Sequence, residues 1–259
     1  MIHFADAVRD GFKKISITTV AIDVIVIAIS VFKDTEADEI WIAFANRKHF
    51  CYIPIHDIAQ SLGPLQYRII PIFHAFTGCD TVSSIAGRGK KTAWDTWNAF
   101  PEVSAALRQM TDQPSIISRD SILPLLERYV VLLYHRTSES NSVNEAREVF
   151  FAHKGRSIVS VPPTREALYQ HAKRSVYQAG LILIQCLLLQ PVLPSPDLYG
   201  WKKQENGMWN PFWTILAEAV SSLQERVHCG CKKGCRGQCK GFKSDLLCTA
   251  LCKCGGDCA

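Results

Sequence analysis

The last 31 residues of this chain contain eight of its 11 cysteines. They are Cys229, Cys231, Cys235, Cys239, Cys248, Cys252, Cys254 and Cys258. The only large apolar side chains in the same segment are Phe242, Leu246, Leu247 and Leu251. A segment with so little apolar surface to bury needs cross-links, which either disulfides or a bound metal ion can supply.

Two features of the cysteine segment favour zinc over disulfides. The pairs Cys229/Cys231 and Cys252/Cys254 are C-x-C pairs, and a disulfide across so short a ring is strained. Positive charges, which favour the metal-binding thiolate, surround the sulfurs. These are Lys232, Lys233, Arg236, Lys240, Lys243 and Lys253. The residues that begin the chain, MIHFADAVRDGFKK, have no long apolar stretch of the secretory type. We therefore expect zinc, and a secreted disulfide module is the alternative.

The order of the cysteine spacings resembles the tesmin-type CXC domain over about residues 226–259. In that family a knot of cysteines holds a cluster of zinc ions, and basic and aromatic side chains contact DNA. The family has a further cysteine two positions after the one that matches Cys239, and this chain has Gly241 there. The resemblance therefore implies two or three zinc ions held by the eight cysteines, with His228 as a candidate replacement ligand.

The net charge of +5 is concentrated in the same segment. Residues 226–259 carry seven Lys or Arg against two Asp, and the other 225 residues carry 22 basic and 22 acidic groups. Such a concentration of positive charge predicts binding to a polyanion, here DNA. The predicted backbone contacts in the segment are Lys232, Lys233, Arg236, Lys240 and Lys243. A solvated basic tail without a ligand is the alternative.

A second group of candidate residues lies in His74–Ala93, which reads HAFTGCDTVSSIAGRGKKTA. Glycines let the backbone approach a phosphate closely, and neighbouring cations add attraction that does not depend on base sequence. The predicted phosphate contacts are Gly87, Arg88, Gly89, Lys90 and Lys91. An ordinary turn between helices with exposed lysines is the alternative.

This segment resembles the end of the PIN-like catalytic domain of flap-endonuclease and XPG-type nucleases, where a G-x-D carboxylate precedes a helix–hairpin–helix that holds the DNA backbone. It is more similar still to transposon-associated animal proteins that combine such a core with a C-terminal cysteine module. The nuclease resemblance spans most of residues 3–100, and the resemblance to that group extends to the whole chain.

The nuclease resemblance implies that Asp23 and Asp80 are catalytic carboxylates. A two-metal nuclease needs several carboxylates that converge on Mg²⁺. Here Ala21 stands where the family has the first acid of a D-x-D pair, and we expect the earlier acids of the fold upstream of residue 1. Two carboxylates are too few, so we expect a vestigial site. As alternatives, Asp80 is a helix cap or turn residue and Asp23 a capping acid at a strand end.

The elements that must position these residues indicate an α/β fold. It combines a partial PIN-like core, a large helical portion and a small irregular zinc module. The predicted strands are Lys14–Val20, which we expect to be buried, and a hairpin of Glu39–Ala45 with Phe50–Ile53. The predicted helices are Pro54–Leu62, stopped by Gly63-Pro64, then Asp120–His135 and Thr164–Leu189, while Val24–Phe32 fits either a strand or a helix. The predicted domains are the PIN-like region 1–110, a helical region 111–200, a Trp- and Pro-containing connection 201–225 and the zinc module 226–259.

Together these patterns predict a mobile-element-derived, catalytically inactive protein that binds DNA through its zinc-stabilised tail and its glycine-rich turn. One alternative is a structure-specific, Mg²⁺-dependent nuclease, or part of one. Another is a protein-interaction scaffold that docks partners on the helices between residues 120 and 189. DNA binding implies a nuclear location. The apolar run Val20–Phe32 is too short to cross a membrane and is interrupted by Asp23.

Overall fold

A computed structural model describes residues 1–46, 49–114, 119–152 and 161–214. The described part is a mainly helical α/β protein with small sheets. The predicted zinc module, with its eight cysteines and the five basic side chains assigned to DNA, lies outside the described residues, as do residues 215–225 of the predicted connection.

The described helices and strands follow one another as two lists show. The helices are α1 (Ile2–Arg9), α2 (Ile22–Val31), α3 (Ile55–Ser61), α4 (Gly63–Phe76), α5 (Lys90–Ala99), α6 (Val103–Asp112), α7 (Arg119–Tyr134), α8 (Val143–Ala152) and α9 (Arg165–Val176). The strands are β1 (Lys14–Thr19), β2 (Glu39–Asn46), β3 (His49–Pro54), β4 (Trp201–Lys203) and β5 (Trp209–Pro211).

The larger sheet has the order β1-β2-β3, with β1 parallel to β2 and β2 antiparallel to β3. The hairpin and the first strand that the sequence predicts are therefore confirmed. The prediction that β1 is buried is wrong, because its residues alternate between exposed and partly buried. An edge strand has a neighbour on one side only, and it is β2 that contributes the fully buried Ile40 and Ile42.

Helix α2 connects the two parallel strands, which settles the open choice for Val24–Phe32 in favour of a helix. Parallel neighbours need a crossover connection, and a helix is the usual one. Asp23 consequently lies in the first turn of α2 and not at the end of a strand.

Gly63-Pro64 ends one helix and begins another, where the sequence predicts only a stop. Gly63 has a φ of 74°, a left-handed conformation that glycine adopts without strain and that redirects the chain after α3. Pro64 stands in the first turn of α4, where its missing N–H costs no hydrogen bond.

Two hydrophobic clusters form the core of the described part. The smaller one joins the sheet to α1, α2 and α3, and the larger one packs α4, α5, α6, α7 and α9 together. The larger cluster takes residues from both sides of the domain boundary predicted at residue 110, which falls inside α6. Residues 27–199 therefore contribute to one continuous core.

The later helices begin and end close to their predicted limits. Helix α7 matches Asp120–His135 within one residue at each end. Helix α9 begins after Thr164, whose hydroxyl accepts the N–H of Ala167 at 3.2 Å as an N-cap. It continues as a π-helical turn (Tyr177–Leu183) and a 3₁₀ turn (Ile184–Leu187). No helix in the described ranges has the length and apolarity needed to cross a membrane.

Candidate functional site

Asp23, one of the two predicted catalytic acids, is hydrogen-bonded to a histidine that is distant in sequence. Its Oδ1 lies 2.7 Å from Nε2 of His74, in the last turn of α4. Helices α2 and α4 pack against each other, and this packing brings the two side chains together. His74 is buried, whereas the side chain of Asp23 keeps 29% of its surface exposed.

The imidazole of His74 is neutral near pH 7. Burial lowers its pKa, the positive charge of Lys90 lowers it further, and the hydrogen bond from Asp23 opposes both without reversing them. A neutral imidazole can bond to a carboxylate only through a protonated nitrogen, so Nε2 carries the hydrogen and donates to Asp23. The contact is therefore a hydrogen bond between a neutral donor and a charged acceptor.

Lys90, predicted to contact phosphate, instead directs its ammonium group into the protein. Nζ donates to the carbonyl oxygen of His74 at 2.8 Å and to Oγ1 of Thr77 at 2.9 Å. The residue as a whole retains exposed surface, but burial around the ammonium lowers the pKa of Lys90. A cation beside the last carbonyls of a helix is favourable, so Lys90 caps the C-terminal end of α4.

We name Asp23, His74, Thr77 and Lys90 the Asp23 cluster. Asp80, the second predicted catalytic acid, lies beside it in an exposed bend of the connection between α4 and α5. Its charge acts on His74, as does that of Asp23, so the two predicted acids approach the same imidazole. Neither acid caps a helix, because the N-cap of α2 is Ala21 and that of α5 is Gly89.

The donor set around Asp23 does not fit a two-metal magnesium site. One oxygen of Asp23 already accepts the His74 hydrogen bond, and the charge of Lys90 acts on the same carboxylate. A cation fixed next to a carboxylate opposes the binding of a divalent cation. In the described ranges no three His, Cys, Asp or Glu side chains converge as metal ligands. The cluster can therefore tie α2, α4 and α5 together, but it does not provide the ligands that Mg²⁺ requires.

The glycine-rich turn presents its three cations in three different directions. Arg88 packs over the ring of Tyr134, with 4.5 Å from the guanidinium carbon to the ring centroid. Lys90 points inward as described above, and Lys91 points into solvent and pairs with Asp95 at 2.8 Å. Gly87 has a φ of 68°, and Gly89 is the N-cap of α5. Of the predicted basic phosphate contacts in this turn, Lys91 is the one with a largely exposed side chain.

Sequence reasoning missed His74 and Thr77 as partners of the predicted residues. Both lie in the quoted segment at its first and fourth positions. A polar residue three places after another at the end of an apolar helix lies on the same face, and this spacing was the available signal. The partner of each, however, comes from a separate part of the chain.

No protein family, no curated protein and no solved structure matches this chain.

Proposed function

We propose that this protein binds nucleic acid through its basic, cysteine-rich tail and that its PIN-like body is catalytically inactive. The observation that carries the proposal is the charge distribution: residues 226–259 hold a net charge of +5, while the rest of the chain is neutral. A polyphosphate backbone releases counterions when such a segment binds, which makes the binding strong at low salt and insensitive to base sequence.

The cysteine content of the same segment supports a folded rather than a solvated tail. Eight thiolates supply enough soft ligands for two or three zinc ions, and a zinc-ordered segment would hold its basic side chains in fixed positions. Zinc would contribute structure here, and the chemistry of DNA contact would come from Lys232, Lys233 and Arg236 and their neighbours.

The geometry of the Asp23 cluster supports the inactive half of the proposal. Nuclease chemistry needs carboxylates that are free to bind metal, and Asp23 is engaged by His74 and Lys90. The same contacts have a structural use, because they connect three helices. The scaffold and nuclease alternatives are separated from this proposal by the measurements below.

The test is the salt dependence of DNA binding by the full chain. Fluorescence anisotropy with a mixed-sequence duplex would be measured from low to high salt for the wild type and for the triple variant Lys232→Gln, Lys233→Gln, Arg236→Gln. If each of the three cations contacts a phosphate, the slope of log K against log salt should become shallower by about 2 to 3.

A body variant with the same loss of charge is the matched control. Arg68, Lys202 and Lys203 are exposed residues of the described part, and their joint replacement by Gln should leave the slope unchanged. Equal slopes for the wild type and the tail variant would refute the proposal, and affinity that is indifferent to salt would favour a protein partner.

A further inference from the structure

A cavity of about 450 Å³ lies on the opposite side of the α4–α5 connection from the Asp23 cluster's lysine cap. It is enclosed by Ser83–Ala86 of that connection, the N-terminal half of α9 with the preceding Val161–Thr164, and residues 212–214 after β5. Tyr134 of α7 and Arg147 of α8 complete the walls. We name it the arginine pocket. Its volume lies in the range of small-molecule sites, which is about 300–1,000 Å³.

The charged side chains that line the pocket are all positive at neutral pH. Arg147 and Arg174 contribute guanidinium groups, and no Asp or Glu is among the lining residues. Arg174 is buried, and its Nη1 donates to the carbonyl oxygen of Gly200 at 3.2 Å. No carboxylate of the described chain pairs with Arg174, and its remaining N–H groups have no hydrogen-bond partner there. Buried charges are ordinarily paired, so this arrangement favours an anionic ligand.

A third guanidinium group lies beside the same wall. Arg88 covers the ring of Tyr134, and its buried Nε has no hydrogen-bond partner within the described ranges. Burial raises the pKa of Tyr134, while the positive charges of Arg88 and Arg147 oppose that rise, so both lie close to the phenol. Three cations thus surround one end of the pocket, and Arg147 also donates to the carbonyl oxygen of Pro162.

The remaining lining supplies hydroxyl donors and exposed aromatic faces. Ser83, Ser84 and Thr164 carry hydroxyl groups that can donate to a phosphoryl oxygen. At the rim, the side chains of Phe212 and Trp213 are 43% and 73% exposed. Exposed rings of this kind stack on the flat face of a nucleobase.

We propose that the arginine pocket binds a nucleotide, with its phosphoryl group between Arg147 and Arg174 and its base against Phe212 and Trp213. Planar guanidinium groups match the oxygens of a phosphoryl group, and the stacking surface accounts for the aromatic rim. The nucleotide is either free or part of a single-stranded DNA. The pocket is formed by residues between 83 and 214, so this inference does not depend on the tail.

The test is isothermal titration calorimetry of the full-length protein with deoxyadenosine 5′-monophosphate (dAMP), with deoxyadenosine and with a short oligo-dA strand. The pocket variants are Arg147→Gln and Trp213→Ala. Arg108→Gln and Trp209→Ala are the matched controls, since neither residue lines the pocket. Trp213 is largely exposed, so its replacement removes stacking with little risk to the fold.

We expect dAMP to bind the wild type more tightly than deoxyadenosine does. Loss of a charged hydrogen bond in Arg147→Gln should weaken dAMP binding by about tenfold or more. Loss of the stacking ring in Trp213→Ala should weaken it by about fivefold or more. The two control variants should bind dAMP as the wild type does, and so should the tail variant that tests the proposed function.

The two sources of the nucleotide give different results. If the pocket variants weaken dAMP binding and leave oligo-dA binding unchanged, the ligand is a free nucleotide. If they also weaken oligo-dA binding, the pocket holds a nucleotide of a strand. The proposal is overturned if neither ligand binds the wild type, or if both bind the two pocket variants as tightly as the wild type.

Discussion

The Asp23 cluster and the arginine pocket are two polar regions on either side of the same connection, and they treat their charges differently. In the Asp23 cluster, His74 donates to the carboxylate of Asp23, and Lys90 donates to a helix-end carbonyl and to Thr77. In the arginine pocket, Arg174 donates to a single carbonyl and has no carboxylate partner in the described chain.

This difference separates groups that stabilise the fold from groups that await a ligand. A buried donor or acceptor with its partner in the same chain contributes to folding, and removing one partner leaves the other unsatisfied. A buried cation without an opposite charge costs free energy, which binding of an anion can offset. Variants in the Asp23 cluster should therefore change stability, whereas exposed variants in the pocket should change ligand binding.

The largest effect that we expect on the described body concerns acid stability and His171, which lies in the pocket wall. Burial lowers the pKa of His171 to about 4, and the charge of Arg174 lowers it as well, against the hydrogen bond to the carbonyl of Phe76. The unfolded chain binds this proton below about pH 6.5 and the folded chain only below about pH 4, so stability falls as the pH drops through this window. The maximal loss from this one group is about 3 kcal/mol.

Urea unfolding at pH 7 and near pH 4 measures this loss. In His171→Gln, the decrease in stability between the two pH values should be smaller than in the wild type by roughly 3 kcal/mol. His3→Gln, at an exposed position on α1, is the control and should retain the full decrease. An unchanged pH dependence in His171→Gln would contradict the assignment of a buried neutral imidazole to the pocket wall.

The next effect distinguishes a structural Asp23 from a catalytic one. Asp23→Ala removes the acceptor of the buried His74 N–H and should lower the free energy of unfolding by about 2 kcal/mol. Asp80→Ala, at an exposed bend, should change it by no more than about 0.5 kcal/mol. Both would be measured by urea unfolding in the presence of a chelator.

The sign of the Asp23 effect decides between the two roles. In a nuclease site, carboxylates clustered for Mg²⁺ repel one another when the metal is absent, so removing one of them stabilises the metal-free protein. A stabilised Asp23→Ala variant, together with cleavage activity that depends on Asp80, would favour the nuclease alternative.

The smallest effect compares adjacent lysines of the glycine-rich turn. Lys90→Met removes two hydrogen bonds at the end of α4 and should cost about 1 kcal/mol of stability. Lys91→Met removes an exposed pair with Asp95 and should cost about 0.3 kcal/mol. If Lys91 contacts a phosphate, its replacement should also reduce the salt slope of DNA binding by about one. Equal stability losses in the two variants would show that Lys90 does not cap α4.

The fold was predictable where a local pattern decides the element. The strand Lys14–Thr19 is rich in β-branched residues, and the hairpin of β2 and β3 has two such runs around a short turn. The helical nature of α2 was not decided locally, because Val24–Phe32 is apolar throughout and lacks a clear period. Its parallel neighbours decide it, and these are tertiary facts.

The sites were predictable only in part for the same reason. Asp23, Asp80 and Lys90 were correctly singled out as lying in one region, since each acts on His74. The inward direction of Lys90 depends on where α4 ends relative to α5, and no spacing within the segment encodes that. The arginine pocket combines residues from Ser83 to Thr214, and its members have no common motif.

The most direct test of the proposed function joins zinc content to DNA affinity in the full chain. Native mass spectrometry of protein purified without added metal would be followed by DNA titration before and after a chelator. The account predicts two or three zinc ions per chain, and their removal should weaken DNA binding by about tenfold or more. A zinc-free chain with its tail cysteines in disulfides, or DNA affinity unchanged after zinc loss, would contradict it.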